Sequence, residues 1–186
     1  MSAGKGFVWT RYEPPDSPVG PLTVVAGPQG ITSVGFGGPS PPAGALAGDL
    51  PEATAQLDAY FAGERQTFDL DLDMRGEPLQ LLVWEQLLEI PYGETISYGE
   101  MASRVGEDAF PVGTEPYRRP RIVGAALGRN PVPVVVPCHR VIGADGSLVG
   151  FGGGLDRKRK LLELEGAEFG KAPRRPKPDD GQLGLL

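Results

Sequence analysis

Residues 128–142 read Gly128-Arg-Asn-Pro-Val-Pro-Val-Val-Val-Pro-Cys-His-Arg-Val-Ile142 and hold the only cysteine and the only histidine of the 186-residue chain. A thiolate is the reactive form of cysteine, and a neighbouring imidazole or cation lowers the pKa of the thiol. Cys138 stands beside His139 and close to Arg140. The stretch therefore predicts a nucleophile, although a lone cysteine is also typical of a small buried apolar residue and a lone histidine of a structural one.

This stretch resembles the active-site segment of the O6-alkylguanine-DNA alkyltransferases, also called methylated-DNA-protein-cysteine methyltransferases. The core Pro137-Cys-His-Arg-Val141 carries most of the specificity of the resemblance. Further matching segments cover about residues 79–166 in the family's order: Val83-Trp84, Ile90-Pro-Tyr-Gly-Glu-Thr-Ile-Ser-Tyr-Gly99, Arg121-Ile-Val-Gly-Ala-Ala126, Gly150-Phe-Gly-Gly-Gly154 and Lys160-Leu-Leu-Glu-Leu-Glu-Gly166.

The resemblance implies an α+β fold with two domains. Residues 1–76 would form a small ribonuclease-H-like α/β domain. Residues 77–170 would form a helical, winged-helix-like DNA-binding and alkyl-transfer domain that contains a helix-turn-helix. Residues 171–186 are rich in proline and charge, so we expect a disordered tail there.

Local patterns predict the individual elements. Alternating or apolar runs indicate strands at Phe7–Tyr12, Leu22–Ala26, Ile31–Phe36 and Phe68–Met74, with a loop over 37–48 and a short extended piece at 148–151. Cap residues and helical spacing indicate helices that begin at Pro51 behind an Asp49 cap and run to Glu64, from 79 to 90, from the Ser97 cap to Val105, from Arg119 to Leu127, and from Leu155 to Leu164. On pattern alone, the helix pair before residue 128 is only weak evidence for a helix-turn-helix.

Composition bounds the chemistry and the location of the chain. One cysteine cannot form an internal disulfide, which fits a reducing cytoplasm, and a zinc site of four Cys/His ligands cannot be assembled. We expect no metal, no cofactor and no obligate protein partner. No apolar run approaches the ~20 residues of a membrane span, and the first ten residues lack the apolar centre of a signal peptide. We therefore expect a soluble, cytoplasmic protein.

Charge is unevenly distributed along the chain. The net charge of -6 argues against a nucleic-acid partner at first sight, because such proteins usually show a basic surface. Residues 1–96, however, carry 4 Lys/Arg and 13 Asp/Glu, a balance of -9, whereas residues 97–175 carry 13 and 9, a balance of +4. This asymmetry is compatible with ordinary surface charge and also with a C-terminal half that faces DNA.

The resemblance assigns five residues to the chemistry. Cys138 would accept the alkyl group, His139 would take the thiol proton through a water, and Glu165 would orient the imidazole. Tyr98 would donate to the flipped base and help guanine leave, and Asn130 would hold the turn before the cysteine segment. By spacing alone, Glu165 reads as an exposed charge at a helix end and Tyr98 as a core or interface tyrosine.

A second set is assigned to the substrate and to double-stranded DNA containing O6-alkylguanine. Arg121 matches the arginine finger that fills the space of the extruded base, although a phosphate contact or a surface ion pair is an alternative. Gly152 matches the backbone N–H that binds O6. Phe151 stands where many relatives have tyrosine. Val136 and Arg140 complete the set that we place at the substrate or the DNA.

Residues 106–120 form a longer link between the two helices than is usual in the family. The link falls in the turn of the expected helix-turn-helix, so Arg118 and Arg119 are candidates for phosphate contacts. The alternative is a mobile insertion with little effect.

The function implied is DNA repair by irreversible transfer of an alkyl group from O6 of guanine to Cys138, with base flipping and one reaction per molecule. Whether O4-alkylthymine is also repaired stays open. Three competing functions remain: a non-reactive lesion binder of the same fold, which would lack the cysteine; a Cys/His hydrolase unrelated to DNA; and a helix-turn-helix regulator.

Overall fold

Four strands form the sheet of the N-terminal half in the computed structural model, which describes residues 6–14, 17–38 and 41–171. They are β1 (Val8–Tyr12), β2 (Leu22–Gly27), β3 (Gly30–Phe36) and β4 (Leu46–Ala47). The strand order is β3-β2-β1-β4, with antiparallel pairing of β2 to both β1 and β3 and parallel pairing of β1 to β4. The first three strands agree with the predictions, whereas β4 lies inside the predicted loop.

The turn between β2 and β3 requires a glycine at position 30. Gly30 has a φ of 135°, and a Cβ there would lie 2.3 Å from the backbone oxygen of Asp71. Only a residue without a side chain tolerates both conditions. This close approach brings residues 69–73 alongside the start of β3.

The strand predicted at Phe68–Met74 is wrong. The segment forms a single parallel bridge between Leu72 and Ile31, in which the Ile31 amide donates to the Asp71 carbonyl at 2.7 Å and the Asp73 amide to the Ile31 carbonyl at 2.9 Å. Farther along β3, the Val34 amide donates instead to the Pro131 carbonyl at 2.9 Å. The edge of β3 is thus divided between this segment and the C-terminal half, which leaves no room for a longer ladder.

Helix α1 (Pro51–Phe61) packs against the sheet. Its inward residues Leu57 and Tyr60 are buried and belong to the same apolar cluster as Leu22 of β2. The N-cap is Leu50, without a side-chain hydrogen bond, so the predicted Asp49 cap is wrong. Proline suits the first helical position of α1. It lacks a backbone N–H, and an N–H at that position would have no acceptor inside the helix.

The C-terminal half is helical. It contains α2 (Pro78–Leu88), β5 (Ile96–Ser97), α3 (Tyr98–Val105), α4 (Arg119–Leu127), β6 (Val141–Ile142) and α5 (Leu155–Leu164), with 3-10 turns at Glu107–Ala109, Pro116–Arg118 and Cys138–Arg140. The bounds of α3, α4 and α5 agree with the predictions. The Ser97 hydroxyl accepts from the Glu100 amide at 3.1 Å, as expected of an N-cap. The piece at 148–151 is not a strand.

Helices α2, α3 and α4 pack against one another. The indole Nε1 of Trp84 on α2 donates to the Ala126 carbonyl of α4 at 2.9 Å, and both residues are buried. Helices α3 and α4 contact each other. Residues 106–118 of the predicted 106–120 link connect them. This is the arrangement predicted for the helix-turn-helix.

The two halves share one apolar core, and hydrogen bonds join them at the sheet edge and beside β2. One is the bond from Val34 to Pro131, and another runs from Arg157 Nε to the Val19 carbonyl at 2.7 Å. In the ranges that the structure describes, no helix combines the length and the apolarity needed to cross a membrane. Residues 172–186 of the predicted tail lie outside those ranges.

We expect Leu57→Ala to destabilise the protein by about 2–5 kcal/mol, because it leaves a cavity between α1 and the sheet. Leu57 is 1% exposed. The matched control is Leu46→Ala in β4, where the side chain is 70% exposed, and the change should stay within about 0.5 kcal/mol. Urea unfolding measures both, and equal effects would contradict the packing described here.

Candidate active site

Cys138 begins a 3-10 turn between a buried apolar loop and β6. Its amide donates to the Val136 carbonyl at 2.8 Å, and its side chain is 7% exposed. The preceding loop is not extended: the Val136 amide donates back to the Val132 carbonyl at 2.9 Å, and Val134 has a φ of 78°. Positive φ is costly for a β-branched residue, so the surrounding contacts hold this backbone in place.

Asn130 fixes the entry to that loop. Its Oδ1 accepts from the Val132 amide at 3.0 Å, and its Nδ2 donates to the Val136 carbonyl at 2.8 Å. The first bond is the Asx turn expected of an asparagine two residues before its donor. One amide side chain therefore ties both ends of residues 130–136 and sets where Cys138 begins.

His139 and Glu165 meet in the interior, although 26 residues separate them in sequence. Imidazole Nε2 lies 2.8 Å from Glu165 Oε1, and the two side chains are 0% exposed. The carboxylate accepts, so Nε2 carries the proton and Nδ1 presents its lone pair. Nδ1 has no hydrogen-bond partner among the described residues. The reading of Glu165 as an exposed helix-end charge is excluded.

Glu165 accepts five hydrogen bonds from the residues that the structure describes. Arg140 contributes two, from Nε to Oε2 and from Nη2 to Oε1, both at 2.9 Å. Tyr60 donates its hydroxyl to Oε1 at 2.6 Å, and the Gly93 amide reaches Oε2 at 3.3 Å. Such a shell compensates a carboxylate for the loss of water.

The placement of Arg140 at the DNA is wrong. The side chain is 8% exposed, and Nη1 donates to the Ile90 carbonyl at 2.6 Å while the rest of the guanidinium binds Glu165. A positive charge bound in this way neutralises the buried carboxylate and is not available to a phosphate. The sequence suggested a charge beside the thiol; the structure gives that charge to Glu165.

Burial determines the direction of the pKa shift of Cys138 and of His139, and hydrogen bonds determine that of Glu165. Burial raises the pKa of Cys138, although the Asn130 side chain and the nearby Lys158 charge act in the opposite direction. It lowers the pKa of His139, despite the Glu165 carboxylate. The pKa of Glu165 is lowered, because its hydrogen bonds from His139 and Arg140 outweigh the effect of burial. At neutral pH the resting pair is therefore a thiol and a neutral imidazole, beside an ionised carboxylate.

Lys158 of α5 is fully buried near Cys138, which the sequence analysis did not anticipate. Its Nζ donates to the carbonyls of Val141 at 2.6 Å and Val149 at 2.7 Å, and it lies 5.8 Å from the centre of the Tyr98 ring. Burial lowers the pKa of this ammonium to about 8, partly offset by Cys138. The lysine therefore holds residues 149–150 and supplies a cation to the thiol.

Tyr98 stands at the start of α3 above the same loop. Its hydroxyl donates to the Val149 carbonyl at 2.9 Å and lies 3.3 Å from the Gly150 carbonyl. Burial, and secondarily Cys138, raise the pKa of this phenol to about 12, so it keeps its proton at neutral pH. A Cβ on Gly124 of α4 would lie 3.6 Å from the Tyr98 ring, which shows how closely α4 passes.

The remaining predicted substrate residues are divided between the loop and the core. Phe151 packs on Phe36 of β3 with 5.6 Å between ring centres, and Gly152 is exposed beside it with open space around its Cα. Val136 is fully buried, and its carbonyl already accepts from Asn130 and Cys138. The structure therefore does not agree with a contact between the Val136 side chain and DNA.

The three predicted arginines of the helix pair differ in their surroundings. Arg119 pairs with Glu107 and lies 5.6 Å from the Phe110 ring centre, which fastens the insertion to α4 and does not agree with a free phosphate contact. Arg118 is exposed, and its guanidinium bonds to the hydroxyl of its neighbour Tyr117 and lies 5.7 Å from the centre of that ring. Arg121 is exposed on α4. The insertion is thus anchored at its base, with Arg118 and Arg121 facing outward.

Within the described ranges, no group of three or more His, Cys, Asp or Glu side chains could hold a metal ion. The chemistry of these residues is that of a thiol, a neutral imidazole, a carboxylate and two buried cations.

Both halves of the chain match domain models of one protein family. Residues 8–74 match the model of the 6-O-methylguanine DNA methyltransferase ribonuclease-like domain, and residues 78–167 match that of the DNA binding domain of the same family. The chain belongs to the 6-O-methylguanine DNA methyltransferase family. Membership confirms the resemblance, the α+β fold with a sheet-containing N-terminal half, and the expectation of a methyltransferase enzyme.

Relatives in this methyltransferase family align over most of the chain. The methylated-DNA--protein-cysteine methyltransferase of Mycobacterium tuberculosis is 47% identical over 164 residues, which is 83% of this chain and 92% of the relative. That of Methanosarcina acetivorans is 41% identical over 82% of this chain and 96% of the relative. A crystal structure of Mycobacterium tuberculosis OGT in complex with DNA has a TM-score of 0.73 and 45% identity, covering 86% of this chain and 92% of that one.

The sequence did not predict two residues that contact the site, Lys158 and Tyr60. Lys158 and Glu165 share the helical spacing of the buried residues Leu161 and Leu162, at i, i+3, i+4 and i+7. That spacing was a usable signal that both charges point inward. Tyr60 lies on the buried face of α1, and nothing in the sequence indicates its partner 105 residues away.

We expect Lys158→Met to raise the pKa of Cys138, because a cation that stabilises the thiolate is lost. Iodoacetamide should then modify the cysteine more slowly than in the unmodified protein below pH 8. The difference should shrink above pH 8, because Lys158 itself loses its charge there. The freed carbonyls of residues 141 and 149 should also cost about 1–3 kcal/mol of stability.

The matched control for this prediction is Lys160→Met, which removes an exposed lysine from the same helix. Intact mass spectrometry follows the modification, and the single cysteine makes the product unambiguous. Identical pH profiles for the two variants would contradict the role given to Lys158.

Proposed function

We propose that this protein repairs DNA by moving an alkyl group from O6 of guanine to its own Cys138 in a single, irreversible reaction. The observation that carries the proposal is the buried set of Cys138, His139 and Glu165, in which a neutral imidazole is held by a carboxylate next to the only thiol of the chain. The family membership and the names of the relatives support the same activity.

The proton on the thiol must leave before the sulfur can attack. Because burial raises the pKa of Cys138, the thiol is not spontaneously ionised at neutral pH. His139 accepts the proton at Nδ1 through a water, while Nε2–H stays bound to Glu165. The resulting imidazolium is stabilised by the carboxylate, and the thiolate by Lys158.

Alkyl transfer then forms one bond and breaks another. The sulfur bonds to the alkyl carbon, the carbon–O6 bond breaks, and its electron pair stays on the purine. Tyr98 is protonated at neutral pH and gives its proton to the base, so that neutral guanine leaves. The proton held by the His139 imidazolium then returns through water to the Tyr98 phenolate. In balance, the thiol loses its proton, guanine gains one, and the protein becomes a thioether.

The target base must leave the stacked duplex to reach a cysteine that is 7% exposed. Arg121, exposed on α4, is positioned on the same helix that passes Tyr98 and would occupy the space of the extruded nucleotide. Phe151 and the exposed backbone of Gly152 border the loop held by Lys158, where a base can be stacked and O6 bound.

The reaction consumes the protein, because no described group is suited to cleave a thioether. One molecule therefore repairs one lesion, and the amount of product cannot exceed the amount of protein.

We expect incubation with duplex DNA that contains O6-methylguanine to add about 14 Da to the protein, at Cys138 only. The matched control is Cys138→Ala, which should gain no mass. Intact mass spectrometry and peptide mapping measure the shift. Lesion-selective binding without a mass change would instead identify a non-reactive binder, and repeated turnover would contradict a stoichiometric reaction.

We expect Arg118→Ala to weaken binding to undamaged duplex DNA and to reduce the slope of log K against log salt by about 1, because one phosphate contact is lost. Arg119→Ala serves as the comparison, since that guanidinium is already paired with Glu107 and its loss should change the slope less. Fluorescence anisotropy over a salt series measures both. An unchanged slope for Arg118→Ala would place the insertion away from DNA.

A further inference from the structure

The hydroxyl of Tyr60 reaches from the N-terminal half into the hydrogen-bond shell of Glu165. Tyr60 belongs to α1, is 0% exposed, and donates to Oε1 at 2.6 Å. Oε1 is the same oxygen that accepts from His139 Nε2 at 2.8 Å. The phenol and the imidazole therefore share one acceptor atom.

The position of this phenol is fixed by aromatic packing. Its ring lies 5.1 Å from that of Phe68, 5.3 Å from that of Phe61 and 6.1 Å from that of Tyr92, centre to centre. Tyr92 in turn donates its hydroxyl to the Leu164 carbonyl at 3.1 Å, one residue before Glu165. The hydroxyl cannot leave Oε1 without moving several packed rings.

Tyr60 acts only as a donor in this position. Burial raises its pKa far above the ordinary value, with a further contribution from the Glu165 charge, so the phenol stays protonated at every pH at which the protein functions. A donor that shares an oxygen with His139 withdraws part of the negative charge that the imidazole would otherwise receive. Removing it should leave Oε1 a stronger acceptor for Nε2–H.

We propose that Tyr60 is a positioning residue of the reaction, through which the N-terminal half sets how strongly Glu165 binds and stabilises the imidazole of His139. Its effect passes through the carboxylate, and it does not touch the thiol or the base. The inference rests on the proposed role of His139 as proton acceptor, but it makes predictions about the imidazole alone.

Several ionisable groups surround this pair and have to be considered together. Those that interact with His139 or Glu165 are Tyr60 on α1, Tyr92 after α2, Arg140 on the 3-10 turn, and Lys158 on α5. The cations of Arg140 and Lys158 disfavour an imidazolium, and Glu165 favours it. Since these groups are unchanged in a tyrosine-to-phenylalanine variant, a shift in His139 reports the lost hydroxyl.

The test is NMR spectroscopy of the single histidine in Tyr60→Phe. We expect the Hε2 resonance to move downfield, because the bond to Oε1 strengthens, and the pKa of His139 to rise by about one pH unit. The matched control is Tyr12→Phe: Tyr12 is 5% exposed and donates its hydroxyl to Asp58 at 2.7 Å in the same half, away from Glu165. Both resonance and pKa should stay in place there.

A second variant tests the same proposal if Tyr60→Phe does not fold. Tyr60→3-fluorotyrosine keeps the ring and the hydroxyl but makes the phenol a stronger donor, so the Hε2 resonance should move upfield, opposite to the first variant. The proposal is overturned if either variant of Tyr60 folds and leaves both the Hε2 resonance and the pKa of His139 as in the unmodified protein.

Failure of this inference and failure of the proposed function are separate results. The imidazole measurements need neither DNA nor alkyl transfer. If they succeed and no methyl group reaches Cys138, the proposed reaction is wrong while the coupling stands. If methyl transfer succeeds and its acid limb is the same in Tyr60→Phe and Tyr12→Phe, Tyr60 only packs. If the coupling holds, that limb moves to higher pH in Tyr60→Phe alone.

Discussion

The buried carboxylate of Glu165 is the constraint on which the site depends. An isolated carboxylate in a protein interior is too costly to remain charged, so it needs a complete set of donors. The chain supplies them from three regions that are distant in sequence: Tyr60 from α1, Gly93 from the turn after α2, and His139 with Arg140 from the cysteine segment. Satisfying this one charge forces the helix, the turn and the nucleophile into a single arrangement.

The cysteine segment is held by contacts of a different kind. Asn130 closes the loop from both ends, and the loop accommodates Val134 at positive φ because its side chain is fully packed. Strain of this type persists only where the surroundings determine the backbone completely. The Asn130 bonds hold the loop before the 3-10 turn, and the bond to Glu165 holds His139 within it. These contacts fix the positions of Cys138 and His139.

Sequence reasoning recovered the elements that carry a local signal and missed those that depend on partners. Helices α3, α4 and α5 were bounded correctly, because caps, proline and spacing act within one turn. The strand at 68–74 failed because its partner edge is shared with Pro131, which no local pattern reveals. At the site, Cys138 and His139 stand out by their uniqueness and Glu165 by resemblance. The partner of Arg140 could not be assigned, since no local pattern brings Arg140 to Glu165, whereas the helical spacing of Lys158 with Leu161 and Leu162 did indicate an inward direction.

The electrostatic balance explains why the site needs two buried cations with different partners. Arg140 cancels Glu165, so this buried ion pair carries no net charge that burial would penalise. In the proposed reaction, moving the thiol proton to His139 creates a thiolate and an imidazolium in a poorly solvated site. Glu165 stabilises the imidazolium, whereas Arg140 and Lys158 oppose it, and Lys158 and the Asn130 side chain favour the thiolate. Charge separation is therefore supported at both ends while the resting state stays neutral around the imidazole. In the proposed reaction, the buried thiol stays protonated and unreactive until His139 takes its proton.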